Sequence, residues 1–433
     1  MHRIFILLGI LLSGIVPATA QNGAYPDIDR MADEVESKVV QWRRDFHQNP
    51  ELSNREFKTA EKVAAHLKSL GLEVRTGIAV TGVIGILRTG RPGPVVALRA
   101  DMDGLPVTER TPVPFASRAR SEYLGEEVGV MHACGHDTHV AMLMGAAQIL
   151  TNMKNQLNGT VVFIFQPAEE GAPPGEKGGA GLMVEEGVLD NPKADVIFGL
   201  HINAQTEVGV IRFKPGGTMA AADRFVITVK GKQTHGSTPW SGIDPVTVAA
   251  QIVQGLQMIV SRQTELTKEP AVISVGKISG GVRHNIIPEE VEMVGTIRTL
   301  DPEMQNMIHE KIRQTATNIA EASGARAIVE IERNVPVTFN SIELTQAMGP
   351  TMKRVAGEDN VVVTRAVTGA EDFSYFANKI PGLFLFLGGM PKGKNPVESA
   401  PHHTPDFYID ESGMKLGVRM LCNLTVDYMK MRK

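Results

Sequence analysis

Apolar residues recur at helical spacing in the first part of the chain. Their positions lie three or four residues apart and end before a proline at position 50: Met31, Val35, Val39, Trp42 and Phe46. A second helix is predicted over EFKTAEKVAAHLKSL, up to Gly71. Short β-branched runs then alternate with helical patterns, which is typical of an α/β domain.

Three of the apolar runs lead into side chains that can bind metal ions or move protons. PVVALRADMDG ends at Asp101 and Asp103, TVVFIFQPAEEG at Glu169 and Glu170, and ADVIFGLHI at His201. In open α/β sheets, ligand sites collect at the carboxyl ends of the strands. The sequence therefore predicts that these side chains share one site.

The middle of the chain has a different pattern. Its alternating and helical segments follow the order β-α-β-β-α-β, from RFVITVKG to RAIVEIER. That order is typical of a ferredoxin-like α+β domain. We predict a catalytic α/β domain over residues 21–216 and 335–433, interrupted by an inserted domain over residues 217–334.

The first twenty residues have a separate meaning. MHRIFILLGILLSGIVPATA combines the basic Arg3, a short apolar run, and the small residues Ala18 and Ala20, which is the pattern of a cleaved secretory signal. Cleavage after Ala20 would release a secreted or periplasmic protein that does not stay in the membrane.

The charge balance argues against a nucleic-acid partner. Lys and Arg total 44 and Asp and Glu total 48, which gives a net charge of −4 without a long run of either sign. Phosphate binding needs a concentrated basic face, so a nucleic-acid partner is not expected.

The segment HACGHD at residues 132–137 holds one of only two cysteines. Cys134 and His136 flank Gly135, which lets the backbone bend so that a thiolate and an imidazole can face one cation. A buried apolar cysteine and a nucleophile remain alternatives at this point. Cys422 lies in a predicted C-terminal helix, where a buried free thiol is favoured over a bridge to Cys134.

The acids and the remaining histidines extend this possible metal site. Neighbouring side chains on an extended stretch point in opposite directions, so Glu169 and Glu170 are expected to differ in role, one as a ligand and one as a general base. His201 and the pair His402–His403 are weak signals individually, because a single histidine is more often structural. Together with Cys134 and its neighbours they favour a site with five ligands, of a mixed chemistry that suits zinc, manganese, cobalt or nickel better than calcium.

Nine segments of the chain carry a resemblance to a known family. They are WRRDFHQNPELSNREFKTA, ALRADMDGLPV, MHACGHDTHVAMLMGAA, FQPAEEG, GLHI, THGSTPW, HNIIPE, GAEDFSYF and HHTPDF. In this order the chain resembles the amidohydrolase branch of the aminoacylase/carboxypeptidase metallohydrolases, which includes hippurate hydrolases and plant hydrolases of indole-acetyl amino acids. The resemblance runs from about Met31 to the C-terminus.

The resemblance implies a mixed-sheet α/β hydrolase domain that holds two divalent metal ions, manganese or zinc, with cobalt or nickel as further candidates. The ligands that it implies are Cys134, His136, Glu170, His201 and His403. Cys134 would then be a thiolate shared by the two ions, and Glu169 the general base. Asp101 stays outside the ligand set, and Asp103 is expected to orient a ligand histidine.

The resemblance also implies roles for residues of the inserted domain, which would act as a lid and a dimerisation domain. His235 matches a histidine that stabilises the oxyanion and often comes from a dimer partner. Asn285 and Arg298 match residues that hold the substrate carboxylate, which the bidentate guanidinium suits. Gly369 matches a backbone contact to the substrate beside the metal ions.

On this interpretation the protein is an exported, metal-dependent amidohydrolase that acts on small N-acyl or N-aroyl amino acids, as a homodimer. A dipeptidase or carboxypeptidase on the same scaffold is the nearest alternative. A periplasmic metal- or ligand-binding protein without turnover is another. Glu169 argues against that last alternative, because a pure binding site has no use for a free carboxylate beside its ligands.

Overall fold

The computed structural model describes residues 25–432. The predicted signal segment and its cleavage site after Ala20 lie outside these residues. Within them the helices are α1 (Pro26–Gln48), α2 (Phe57–Ser69), α3 (His136–Asn152), α4 (Gly179–Glu185), α5 (Pro245–Met258), α6 (Pro302–Ala322), α7 (Ile342–Ala356), α8 (Ser374–Ala377) and α9 (Met414–Met431). No helix in this part of the chain is both long and apolar enough to span a bilayer.

The strands fall into one large sheet, one smaller sheet and three short pairs. Their bounds are β1 (Glu73–Ile78), β2 (Gly82–Arg88), β3 (Val95–Asp101), β4 (Arg120–Tyr123), β5 (Glu126–Gly129), β6 (Thr160–Gln166), β7 (Val196–Glu207), β8 (Ile211–Phe213), β9 (Gly216–Met219), β10 (Ala221–Lys230), β11 (Thr234–His235), β12 (Ala271–Ser279), β13 (Ile286–Ile287), β14 (Glu290–Thr299), β15 (Arg326–Val335), β16 (Thr338–Asn340), β17 (Val361–Val363) and β18 (Gly382–Met390).

The large sheet is mixed, as predicted for the catalytic domain. Its order is β1-β2-β6-β3-β7-β18-β8-β17. The four central strands β6, β3, β7 and β18 are parallel to one another, whereas β2 runs antiparallel to β6 and β8 runs antiparallel to β18. The three strands whose ends were expected to share a site are therefore adjacent, and the prediction of a mixed α/β fold is confirmed.

Helices cover both faces of this sheet because its strands are apolar on both sides. Val96 and Leu98 of β3 belong to the core that packs under α1, α3 and α9, while Ala97 belongs to the core on the opposite face, with α4 and α8. Beyond its polar first turn, α3 is mostly apolar on all sides from Val140 onwards, which fits its burial between α1, α9 and the sheet. Cys422 on α9 is buried against α3, and both Cys422 and Cys134 are free thiols, so no disulfide joins them.

The smaller sheet contains the predicted β-α-β-β-α-β order. Its strands are ordered β12-β14-β10-β15, all antiparallel, and α5 and α6 pack against it around a separate apolar core. The chain enters and leaves this region through β9 and β16, which pair with each other at Gly217 and Phe339. The domain limits at residues 217 and 334, and the role of this region as a lid, stay predictions.

Candidate metal centre

The ends of the central strands meet at one edge of the large sheet. Asp101, the last residue of β3, pairs with Gln166, the last residue of β6. His201 follows two residues after the last pair between β3 and β7, at Gly199. The expectation that His201 ends its strand is wrong, because β7 continues to Glu207 alongside β18.

Gly135 controls how the chain enters α3. It lies immediately before the helix with a φ of 95°, a left-handed conformation that favours glycine. A Cβ atom at this position would lie 2.5 Å from Cγ2 of Ile202. The turn therefore needs glycine both for its conformation and for its close approach to β7, and it directs Cys134 and His136 towards the same space.

Cys134 belongs to two different groups of possible ligands. One group is Cys134, His136 and His201, and the other is Cys134, Glu170 and His403; within each group the ligand atoms all lie within 4.8 Å of one another. The Sγ atom is 3.4 Å from Nε2 of His201 and 3.3 Å from Nε2 of His403. This arrangement fits a thiolate that is shared by two cations.

His136 has one ring nitrogen engaged and one free for a cation. Its Nδ1 atom is 2.9 Å from the backbone oxygen of Asp103 and 3.2 Å from Oδ1 of the same residue, so Asp103 orients the ring as expected. The Nε2 atom is buried and has no hydrogen-bond partner among the described residues. Buried nitrogen atoms are normally paired, and this unpaired atom lies in a group of possible ligands with Cys134 and His201, which fits a metal ion.

Glu169 and Glu170 lie on a turn and not on an extended stretch. Their backbone N–H groups donate to the two carboxylate oxygens of Asp103, at 3.1 and 3.0 Å. Oε1 of Glu170 is 3.1 Å from Nε2 of His403, and Oε2 of Glu169 is 3.8 Å from Nε2 of His136. The reasoning that the two side chains point in opposite directions is wrong, because both line the same cavity.

Two other histidines of this region are held in structural roles. His139 has Nδ1 2.6 Å from Oδ1 of Asp101, and its Nε2 accepts the backbone N–H of Ile202 at 2.8 Å. The Nε2 atom of His402 accepts the backbone N–H of Ala204 at 3.2 Å, and its Nδ1 atom lies 3.1 Å from the backbone oxygen of Cys134. With both ring nitrogens engaged, neither histidine has a lone pair left for a metal ion.

A buried ionic network that the sequence did not predict lies beneath the site. The guanidinium of Arg99 lies 2.6 Å from Asp101, 2.9 Å from Glu371 and 3.0 Å from Asp372, and all four side chains are buried. Its Nε atom donates to Gln166 at 2.7 Å. An arginine inside the apolar run VVALRAD is the sequence signal that could have indicated this network.

The site holds more acidic side chains than its arginine can pair. Six carboxyl side chains converge here: Asp101, Asp103, Glu169, Glu170, Glu371 and Asp372. Arg99 pairs with three of them, Asp101, Glu371 and Asp372. Burial and the Glu170 and Glu169 carboxylates raise the pKa of the Cys134 thiol well above its usual value. Burial lowers the pKa of His201, so its imidazole is held neutral. Divalent cations would balance these charges and stabilise the thiolate, so the residues present fit a metal centre.

The candidate ligands line a cavity of about 490 Å³. Arg298 of β14 and Gly369 also line it, which brings two of the predicted substrate contacts to the site. Among the described residues, the lining includes neither His235 nor Asn285. His235 is exposed on β11, where its Nδ1 atom contacts the hydroxyl of Ser237 at 2.7 Å.

Most of the sequence matches the model of a known protein family. Residues 97–427 match the model described as peptidase family M20/M25/M40. The chain belongs to this family. The resemblance inferred from the motifs is therefore confirmed, and so is the expectation of a metal-dependent amidohydrolase.

Relatives of this M20 protein span peptidases and deacetylases. The chain is 42% identical to thermostable carboxypeptidase 2 of Saccharolobus solfataricus over 386 residues, covering 89% of this chain and 93% of the relative. It is 37% identical to N-acetylcysteine deacetylase of Bacillus subtilis over 398 residues, covering 92% and 98%. In structure it is similar to the YXEP protein of Bacillus subtilis, described as a dinuclear metal binding peptidase from the M20 family, with a TM-score of 0.77, 34% identity, and coverage of 92% and 99%.

Proposed function

We propose that this M20 protein hydrolyses the amide bond of N-acyl or N-aroyl amino acids, with two metal ions and Glu169 as the general base. The observation that carries this proposal is the position of Cys134 between two ligand groups, with the Glu169 carboxylate beside them in a cavity that also contains Arg298. A substrate whose amide group lies at the metal ligands would have its free carboxylate in the same cavity as the guanidinium of Arg298.

The described residues divide into two sets of ligands around the shared thiolate. Cys134, His136 and His201 would hold one ion, and Cys134, Glu170 and His403 the other. When bound, the ions would polarise the amide carbonyl and make water more acidic. Manganese or zinc suits this mixture of sulfur, nitrogen and oxygen ligands, and cobalt or nickel are alternatives.

The surroundings of Glu169 support a role in moving the protons of the reaction. Burial and the nearby Glu371 raise the pKa of its carboxyl group well above the usual value. A carboxylate with raised proton affinity can take a proton from the attacking water and hold it for the leaving amine. Glu169 would thus act first as a base and then as an acid.

The substrate carboxylate would be bound by the smaller sheet. Arg298 reaches the cavity from β14 and offers a bidentate contact. We assign His235 and Asn285 to the site of the partner chain in a homodimer, where His235 would stabilise the oxyanion. Support for this assignment comes from the exposure of the His235 ring and from the short pairing of β11 with β13, which holds His235 opposite Ile286, next to Asn285.

A carboxypeptidase or dipeptidase is the second candidate. Thermostable carboxypeptidase 2, by its name, acts on a related bond, because both reactions release an amine that carries a free carboxylate. The two candidates share the metal centre and Arg298, and they differ in the group on the acyl side of the amide. Glu169 argues against a binding protein without turnover. It belongs to neither of the two ligand groups that share Cys134.

A panel of substrates tests the proposal. Hippurate, several N-acetyl amino acids and several dipeptides would be incubated with metal-loaded protein, with and without a chelator. We expect chelator-sensitive release of the amino acid from the acyl conjugates, and a loss of about a thousandfold in kcat for Glu169→Gln with metal content unchanged. The control is Glu265→Gln, which changes an exposed carboxylate of the smaller domain.

Each outcome of the panel has a distinct meaning. Cleavage of dipeptides alone would favour a carboxypeptidase or dipeptidase over a hydrolase of acyl amino acids. Full activity of Glu169→Gln would remove Glu169 as the general base. An absence of turnover on every substrate, with metal ions bound, would support a binding protein.

We also propose that the protein is exported. The support is the pattern of residues 1–20, with a basic start, a short apolar run and small residues before Gln21. Fractionation of expressing cells, with N-terminal sequencing of the released protein, tests it. A mature chain that begins at Gln21 is expected outside the cytoplasm, and an unprocessed chain in the cytoplasm would contradict export.

A further inference from the structure

The segment between α1 and α2 carries a buried carboxylate that the proposed mechanism does not use. Glu56 is fully buried at the start of α2. Its Oε1 atom accepts the backbone N–H of Ala168 at 2.8 Å, and its Oε2 atom accepts the hydroxyl of Thr81 at 2.6 Å. Both oxygens are therefore engaged, and Glu56 does not line the cavity of the metal centre.

The hydrogen bond to Ala168 belongs to a turn that is built around two buried carboxylates. Three successive backbone N–H groups, those of Ala168, Glu169 and Glu170, point at carboxylate oxygens, the first at Glu56 and the other two at Asp103. Ala168 has a φ of 49°, a left-handed conformation that a residue with a Cβ atom rarely adopts. Such a conformation persists only where surrounding contacts hold it.

Glu56 and Asp103 support different parts of the site. Asp103 also orients His136, so its removal would disturb a candidate ligand directly. Glu56 contacts the turn through Ala168, one residue before the proposed base. If Ala168 relaxed to a negative φ, the direction of the following residue would change, because each backbone dihedral redirects the chain beyond it.

We propose that Glu56 is a positioning residue, whose hydrogen bond to the Ala168 N–H keeps the turn in the conformation that points Glu169 into the cavity. This inference rests on the proposed role of Glu169. It assigns a function to the NREF segment that follows PELS, which the mechanism leaves unexplained. The property that matters is the reach of the acceptor oxygen, and the negative charge is secondary.

Two conservative variants separate reach from charge. Glu56→Gln keeps an acceptor oxygen at the same distance and removes the charge, whereas Glu56→Asp keeps the charge and shortens the side chain. We expect Glu56→Gln to retain kcat within about threefold and Glu56→Asp to lose about tenfold to a hundredfold in kcat, with KM and bound metal unchanged. The matched control is Thr81→Val, which removes the other hydrogen bond of Glu56 and is expected to lower Tm without lowering kcat.

The outcomes that overturn the inference are distinct from those that overturn the proposed function. Full kcat in Glu56→Asp, or a loss of kcat found only in Glu56→Gln, would contradict the inference. Loss of bound metal in proportion to kcat would also contradict it, and so would an equal loss of kcat in Thr81→Val. If Glu56→Asp does not fold, Glu56→Met replaces it as a variant of similar length without an acceptor oxygen. Glu169→Gln is measured in the same assay: if it is fully active the base assignment fails, and if it is inactive while Glu56→Asp is unaffected only this inference fails.

Discussion

The histidines of the metal centre differ in how many ring nitrogens the protein itself occupies. His136 has Nδ1 held by Asp103, and its Nε2 atom has no partner within residues 25–432, whereas His139 has both nitrogens engaged, by Asp101 and by the N–H of Ile202. The difference decides which ring can bind a cation, because a neutral imidazole offers one lone pair. His402 is similar to His139, because both of its ring nitrogens are also engaged. Its neighbour His403 is therefore the candidate ligand of the His402–His403 pair.

The two cysteines allow a matched test at the residue scale. We expect Cys134→Ser to lower metal affinity and kcat/KM by at least about a hundredfold, because a hydroxyl does not replace a bridging thiolate. Cys422→Ser places a hydroxyl in a fully buried position on α9 and should cost about 1–3 kcal/mol of stability, with metal content and kcat retained. Metal analysis, steady-state kinetics and thermal unfolding of both variants provide the measurement. Two bound ions and full turnover in Cys134→Ser would contradict the shared-ligand assignment.

At the scale of elements, the start of α3 depends on one glycine. Gly135→Ala would place a Cβ atom 2.5 Å from Ile202 in a left-handed conformation, so both strain and a clash oppose it. Gly125 lies at the tip of the β4–β5 hairpin with a φ of 84°, and no atom lies within 4 Å of a Cβ atom added there. Gly125→Ala therefore introduces backbone strain without a clash. We expect about 1 kcal/mol of destabilisation for Gly125→Ala with full activity. For Gly135→Ala we expect a larger loss of stability together with loss of bound metal, and equal behaviour of the two variants would contradict this account.

A buried ion pair joins α1 to α3 and gives a pH dependence with a defined sign. Burial alone would lower the pKa of His47, but the carboxylates of Asp137 and Glu109 outweigh it and raise the pKa above its ordinary 6.5. Stabilisation by charged His47 is therefore present below about pH 6.5 and is lost as the pH rises through the raised value. His47→Gln should cost about 3 kcal/mol at pH 6, and less at higher pH.

Denaturant unfolding at several pH values measures this difference between the wild type and His47→Gln. His66→Gln is the control of opposite sign, because burial lowers the pKa of His66, which packs against Trp42. The stabilisation by neutral His66 is lost as the pH falls below about 6.5. Parallel pH profiles for the two variants would contradict the ionic role of His47.

The regular elements could be predicted from the sequence better than the turns between them. The apolar spacing around Val35 and Val39 identified α1, and the β-α-β-β-α-β order of the smaller sheet matched its strands and helices, because burial patterns are local in sequence. The sequence predicts an extended stretch at Glu169 where the structure has a turn, because the conformation of the turn depends on Asp103 and Glu56, which are distant in sequence. The Arg99 network could not be derived from spacing, because its partners come from separate segments of the chain.

At the scale of the whole molecule, the site of one chain lacks two of the residues expected to act in it. Arg298 reaches the cavity, but His235 and Asn285 do not line it. If His235 acts from a partner chain, mixing two inactive variants should restore activity. Co-expressed Glu169→Gln and His235→Ala chains should form mixed dimers with one complete site, and random pairing should recover about a quarter of the wild-type activity. A mixture as inactive as its components would contradict the assignment of His235 to the partner's site.

The proposed function of this M20 protein depends on two metal ions that share Cys134. Its most direct test is a titration of metal-free protein with manganese or zinc, in which bound ions per chain and hippurate turnover are measured on the same samples. We expect turnover to stay low through the first equivalent and to reach its maximum at two ions per chain. Maximal turnover at one ion or fewer per chain would contradict it.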